Sequence, residues 1–326
     1  MVTLVDPHGR TVRDLRISVT DRCDFRCRYC MPAEGLTWLP RDEVLTFEEI
    51  VRVARVSVAR FGFDAIRLTG GEPTLRRGIV DLVAMLRELP VDLAMTTNGA
   101  SLDRLAAPLR AAGLRRVNIS CDSLRLDRFA AITRRDALGK VLAGIDAALA
   151  AGFDPVKINV VLMRGVNDDE AVDFARFGRE KGAQIRFIEF MPLDAEGGWS
   201  RDQVVAADDT IAAINAVYPL EGFAHEVEPA TRYRYVDGRG EIGAVPSVTR
   251  PFCGDCDRIR LTADGQIRSC LFALDEHDVR AVLRSGGSDD DVAAVVERAV
   301  GTKWAGHHIG QVTFIRPGRS MSQIGG

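Results

Sequence analysis

Between about residue 14 and residue 190 the chain alternates short apolar runs with segments of helical period, and the alternation comes six times over. The runs are 15–19, 65–68, 91–95, 117–120, 156–162 and 185–190. Between them, Thr46 and Glu49 have capping-box spacing, and Ile79, Leu82, Val83, Leu86 and Leu89 share a helix face. Ser101 stands where a helix cap belongs and Gly113 where that helix stops; further helices are predicted over 138–150 and 168–181. Strand, helix, strand in series needs crossover connections, which means parallel strands with helices packed over them. A closed barrel takes eight such units. Six predict an α/β fold, an open, partial (β/α)6 TIM-type barrel; periodicity cannot order strands, so a doubly wound sheet stays open. After Met191 the rhythm changes to a helix over 208–217 and short strands punctuated by Gly and Pro. The expected division is a barrel over 1–191 and a smaller α+β region over 192–326 packed on it. No internal repeat appears, and 285–291 reads as a turn-rich stretch.

Composition narrows the function classes. The 326 residues are 46% hydrophobic with a formal net charge of -3, an ordinary globular balance without a basic surface for nucleic acid. No uncharged apolar run approaches the roughly 20 residues that span a bilayer, and the first residues lack a signal-peptide layout. A cytoplasmic chain with no membrane and no nucleic-acid partner is expected. Disulfides do not persist in a reducing compartment, so the seven cysteines need another account. They fall into two triplets and a singleton, Cys121, and clustered cytosolic cysteines point to metal or redox chemistry.

Cys23, Cys27 and Cys30 follow the first predicted strand, at the strand ends where α/β barrels carry their active sites. Three thiolates hold three irons of a cubane and leave the fourth open to a ligand. A structural zinc site would want a second Cys pair close by, and none is present. Gly70-Gly71-Glu72-Pro73 ends the second strand: glycines permit close backbone approach, and Glu72 suits an ammonium group. Thr96, Ser120, Glu189 and Met191 fall at the same rim, although Asn98-Gly99 alone is a common turn and Ser120 alone a common cap. Lys157, among apolar neighbours, asks for an anionic partner.

Cys253, Cys256 and Cys270 repeat the theme around a predicted turn at Asp264-Gly265. A second open-iron cluster is the economical reading; zinc remains an alternative, with His277 or Asp275 as fourth ligand. Arg258 and Arg260 alternate along one strand and so face one side. With Arg16 and Arg67 they suit a polyphosphate, since each guanidinium forks onto two oxygens; the plain alternative is a pair of solvated surface arginines.

The Cys-x-x-x-Cys-x-x-Cys pattern with Tyr29 before its last cysteine, together with Gly-Gly-Glu-Pro, resembles the radical S-adenosylmethionine superfamily. The second triplet and the entry over 14–23 narrow this: from Arg13 to the final Gly-Gly the chain resembles the MoaA family of GTP 3′,8-cyclases of molybdenum cofactor biosynthesis. The resemblance implies two [4Fe–4S] clusters, on Cys23, Cys27 and Cys30 and on Cys253, Cys256 and Cys270. It implies S-adenosylmethionine at Tyr29, Gly71, Glu72, Ser120 and Met191, and GTP at Arg16, Arg67, Thr96, Lys157, Arg258 and Arg260. A 5′-deoxyadenosyl radical would take hydrogen from ribose C3′, and C3′ would then attack guanine C8. Arg16, Gly325 and Gly326 would take part in catalysis, the Gly-Gly tail entering the active site although composition alone predicts fraying. An unidentified electron donor and a downstream cyclic pyranopterin synthase are the implied partners, and a homodimer is left open. The rival readings are a radical peptide maturase with an auxiliary cluster and a non-catalytic iron–sulfur or zinc protein. Cys121, where the family pattern leads one to expect an aliphatic residue, reads as core packing.

Overall fold

The computed structural model describes residues 2–193, 197–223, 229–309, 311–312 and 314–325. The six expected strands are β1 (Asp14–Ser18), β2 (Ala65–Thr69), β3 (Asp92–Thr97), β4 (Arg116–Ser120), β5 (Val156–Leu162) and β6 (Gln184–Glu189). Each pairs in parallel with the next in sequence. That unbroken order excludes a doubly wound sheet, whose order reverses at a switch point. The crossovers carry α1 (Phe47–Phe61), α2 (Ile79–Leu86), α3 (Leu102–Ala112), α4 (Leu126–Thr133), α5 (Leu138–Ala150) and α6 (Ala171–Lys181). Leu15, Ile17, Ile66, Leu68, Met95, Val117, Ile119 and Ile158 are fully or almost fully buried against these helices and form one continuous core.

Local signals explain most boundaries. Thr46 accepts from the Glu49 backbone while Glu49 reaches back to the Thr46 N–H, so the capping box forms. Ser101 makes no side-chain cap: its backbone, at φ -112° and ψ 1°, lies outside the extended region that aims a capping hydroxyl. The segment 168–181 begins with a single 3-10 turn and turns α-helical only at Ala171. The stretch over 285–291 is not merely turns, because Ser288 caps the helix that starts at Asp289.

The C-terminal third continues the barrel's own sheet. It contains α7 (Ala207–Asn215), β7 (Leu220–Phe223), β8 (Thr231–Tyr235), β9 (Glu241–Val245), β10 (Arg258–Leu261), β11 (Gln266–Arg268), β12 (His277–Asp278), α8 (Val279–Arg284), α9 (Asp289–Gly301) and α10 (Met321–Ile324). β9 pairs in parallel with β6 at one edge, and β10 pairs in parallel with β1 at the other. Antiparallel partners then extend both sides, giving the order β12-β11-β10-β1-β2-β3-β4-β5-β6-β9-β8-β7. Among the described residues nothing joins β9 to β10, so the barrel is partial, as the six units predict. Among those residues no helix is long and apolar enough to cross a membrane.

Candidate functional site

At the carboxyl ends of the strands lies a cavity of about 300 Å³, and all six triplet cysteines line it. None is in a disulfide. The seventh, Cys121, is 1% exposed in the apolar core, where its thiol meets the Ser123 carbonyl at 3.4 Å.

The first triplet sits on a loop that leaves β1 and is held by Gly-Gly-Glu-Pro. Gly71 N–H donates to the Thr20 carbonyl at 2.8 Å and Glu72 N–H to the Arg22 carbonyl at 2.7 Å. A Cβ at Gly70 would stand 2.4 Å from Thr20 O, and one at Gly71 would stand 2.2 Å from Arg22 O. The glycines are therefore required first by the neighbouring chain. Glu72 is 1% exposed and accepts from Thr74 N–H, the Thr74 and Thr97 hydroxyls and Asn98 N–H, so its carboxylate ties the loop to the end of β3. Burial pushes its pKa up against those donors. Tyr29 donates to Asp122 at 2.6 Å, and burial lifts the Asp122 carboxyl to about 6. Asp122 lines the cavity two residues beyond the end of β4, and the sequence reading missed it; its signal was a polar residue at the same rim as Ser120. Gly71, Ser120 and Met191 line the cavity too. Glu189 spends both oxygens on Ala207, Val248 and Thr249, bracing the loop after β9.

Arginine dominates a further part of the lining. Arg260 of β10, Arg16 of β1 and Arg67 of β2 are register partners on three adjacent strands. All three line the cavity with Arg258 and Thr96. The Nε atoms of Arg16 and Arg67 are buried without a hydrogen-bond partner among the described residues. Arg16 Nε forms a long ion pair with Asp14 at 3.7 Å. Burial, then the charges of Arg258 and Arg67, bring Arg16 down to about 9; burial brings Arg67 to about 10. Arg260 is lowered by burial and by Arg16 and Arg258. Crowded, desolvated cations with free N–H donors fit a polyanion. Arg186 of β6 lines the same cavity and was missed; its signal was the alternation Ile185-Arg186-Phe187. Lys157 is buried at 4% exposure beside Asn118 and Gln184 in register, but it is not among the residues lining the cavity.

The tail closes the cationic side. Arg319 forks onto Asp264 at 3.1 and 2.8 Å and also reaches Glu276, pinning the chain before α10. Ser322 of α10 hydrogen-bonds Cys30, although burial still raises that thiol to about 12. Gly325 is buried with φ 84°, and Arg260 donates to its carbonyl. A Cβ there would meet Ser18 Oγ at 2.4 Å. Gly326 lies outside the described residues.

The donor sets fit iron–sulfur clusters. Each triplet is all-thiol, opens on the cavity and has no fourth cysteine within the site, which leaves one iron of a cubane open. Among the described residues no three Cys, His, Asp or Glu groups gather tightly enough for one metal ion. His277, the candidate zinc ligand, instead faces the Thr302 hydroxyl at 3.2 Å.

Residues 17–178 match the Radical SAM superfamily, and residues 183–309 match the Molybdenum Cofactor Synthesis C family. A solved structure of Streptococcus suis SuiB bound to S-adenosylmethionine aligns with TM-score 0.60 over 88% of this chain and 69% of that one, at 13% identity, a likeness of fold. The GTP 3′,8-cyclase of Streptomyces coelicolor is 48% identical over 99% of this chain and 96% of its own. That of Paenarthrobacter nicotinovorans is 47% identical over 100% and 97%. The chain belongs to the GTP 3′,8-cyclase family.

Proposed function

We propose that the chain converts GTP to (8S)-3′,8-cyclo-7,8-dihydroguanosine 5′-triphosphate in molybdenum cofactor biosynthesis. The observation that carries the reading is the arginine row across β10, β1 and β2, facing a cavity walled by both cysteine triplets. When bound, an open-iron cluster on Cys23, Cys27 and Cys30 supplies the electron that turns S-adenosylmethionine into a hydrogen-abstracting radical, and that chemistry links ribose C3′ to guanine C8. Cys253, Cys256 and Cys270 would hold a second [4Fe–4S] cluster, which would supply an open iron as a ligand site for the substrate.

The chain's own residues bind, orient and exclude. Arg16, Arg67, Arg258 and Arg260 take the triphosphate, with Arg186 and Thr96 beside them; Lys157, in register with cavity-lining Asn118, contributes through the field of its ammonium. Tyr29, Gly71, Ser120, Met191 and Asp122 receive S-adenosylmethionine. Glu72, whose oxygens already hold four chain donors, shapes the loop and offers what acceptor capacity remains to the ammonium. The Gly325 carbonyl sets the pose of Arg260 toward the nucleotide, Gly326 is assigned to catalysis with it, and Arg16 steadies the reacting ribose through the phosphates. On this reading the barrel of 1–191 generates the radical and shares substrate binding with 192–326, the region of the second cysteine triplet. A separate donor supplies electrons, a cyclic pyranopterin synthase takes the product, and the reaction runs in the cytoplasm in a monomer or a homodimer. The test is anaerobic incubation of the reconstituted protein with GTP, S-adenosylmethionine and a reductant. Cyclised product with 5′-deoxyadenosine is expected; 5′-deoxyadenosine without any GTP-derived product would overturn the substrate assignment.

A further inference from the structure

Of 43 basic residues only four are lysine: Lys140, Lys157, Lys181 and Lys303. Lys303, 3% exposed, lies just beyond α9 against the second triplet. An ammonium has three N–H donors. Here they meet the Arg258 carbonyl at 2.7 Å, the Ser269 carbonyl at 2.8 Å and the Cys256 sulfur at 3.6 Å. The two carbonyls belong to the two arms of the triplet, one beyond Cys256 and one just before Cys270. Among the described residues no carboxylate hydrogen-bonds this buried charge. A buried ammonium is costly unless an anion compensates it, and the sulfur is the anion on offer.

The segment after Lys303 is fixed to the same triplet. Arg10, paired with buried Asp6 at 2.5 Å, donates to the carbonyls of Cys253 at 2.5 Å, Trp304 at 2.5 Å and Ala305 at 3.0 Å. Gly306 lies so close that a Cβ would stand 3.2 Å from the Cys253 Cβ. The ammonium is thus held in place from both sides.

We propose that Lys303 is a positioning residue for the second triplet: its ammonium spans both arms and neutralises the Cys256 thiolate, and so governs how firmly a cluster is held there and how readily it accepts an electron. This rests on the two-cluster reading above. Cluster potentials follow net charge and hydrogen bonds to sulfur, and reduction adds negative charge, which a fixed cation favours.

The test uses the full-length chain with Lys303→Met, which keeps length and removes charge, and Lys303→Arg, which restores charge. Iron content is measured first. Redox titration followed by electron paramagnetic resonance is then run with Cys23, Cys27 and Cys30 replaced by alanine, so that one cluster reports. In Lys303→Met the midpoint should move to more negative potential, or the second cluster's iron should be lost, and Lys303→Arg should recover toward the unaltered chain. In protein carrying ¹⁵N-lysine and native Lys303, the reduced cluster should show a ¹⁵N hyperfine coupling; this measurement decides the matter if either variant does not fold. An unaltered chain with about eight irons, an unmoved Lys303→Met midpoint and no ¹⁵N coupling overturns this proposal alone. About four irons in the unaltered chain overturns the two-cluster reading and this proposal with it.

Discussion

Single residues here carry roles that differ in kind, and substitution separates them. Arg260→Ala removes a desolvated cation that also holds the Gly325 carbonyl. It should weaken GTP binding by roughly 1.5–3 kcal/mol, the scale of a charge-assisted hydrogen bond, with iron content unchanged; calorimetric titration reads it, and unaltered affinity would mean the row does not touch the phosphates. Gly71→Ala forces a methyl onto the Arg22 carbonyl. It should cost about 1–3 kcal/mol of stability and loosen the first triplet, seen as a lower melting temperature and loss of S-adenosylmethionine binding; a variant that melts and binds normally would show that the loop has room to shift. Cys121→Ser should keep all the iron, because that thiol sits in the core and away from the cavity, whereas changing any triplet cysteine should lose one cluster.

Secondary elements show what a sequence can and cannot disclose. The six barrel strands were legible because each alternates locally with a helix-period segment, and local periodicity is what a linear reading detects. The partners of β9 and β10 were not, because each pairs with a strand more than fifty residues away in the chain and parallel pairing leaves no mark on either strand alone. The cysteines, Arg16, Arg67, Arg258 and Arg260 stood out by spacing or clustering. Asp122 and Arg186 did not, being single polar residues whose meaning comes from the wall they share; Lys157 drew attention for its apolar sequence neighbours, and in the sheet it lies in register with Asn118 and Gln184. The tail helix α10 is the clearest case where composition misleads, since a Gly-Gly end predicts fraying, whereas Arg319 pins the chain before α10 and Gly325 is buried. Deleting Gly325 and Gly326 should leave folding, both clusters and S-adenosylmethionine binding intact and abolish cyclised product. Product assayed beside 5′-deoxyadenosine and cluster absorbance checks this, and normal turnover by the truncated chain would make the tail dispensable.

As a whole the molecule carries a formal net charge of -3 while its cavity concentrates buried arginine, two of whose Nε atoms lack a hydrogen-bond partner among the described residues. The repulsion stored there should be relieved by a polyanion. GTP should therefore raise the melting temperature, by about 2.7 kcal/mol of added stability at a hundredfold excess over its dissociation constant. Guanosine should raise it much less, and added salt should shrink the difference. Equal shifts from guanosine and GTP would show that the arginines leave the phosphates alone.

The sheet's two borders also bear on how the protein is made. β1 leaves the ribosome early, yet its outer edge stays bare until Arg258–Leu261 is synthesised, and the outer edge of β6 waits for Glu241–Val245. A nascent or prematurely terminated chain ending near residue 190 has both hydrogen-bonding borders open, the arrangement that templates association between chains. Such a fragment is an aggregation hazard rather than half an enzyme. The last cavity-lining residue among those described, Met321, comes later in the chain than either border strand, so the pocket is completed only after both borders of the sheet are.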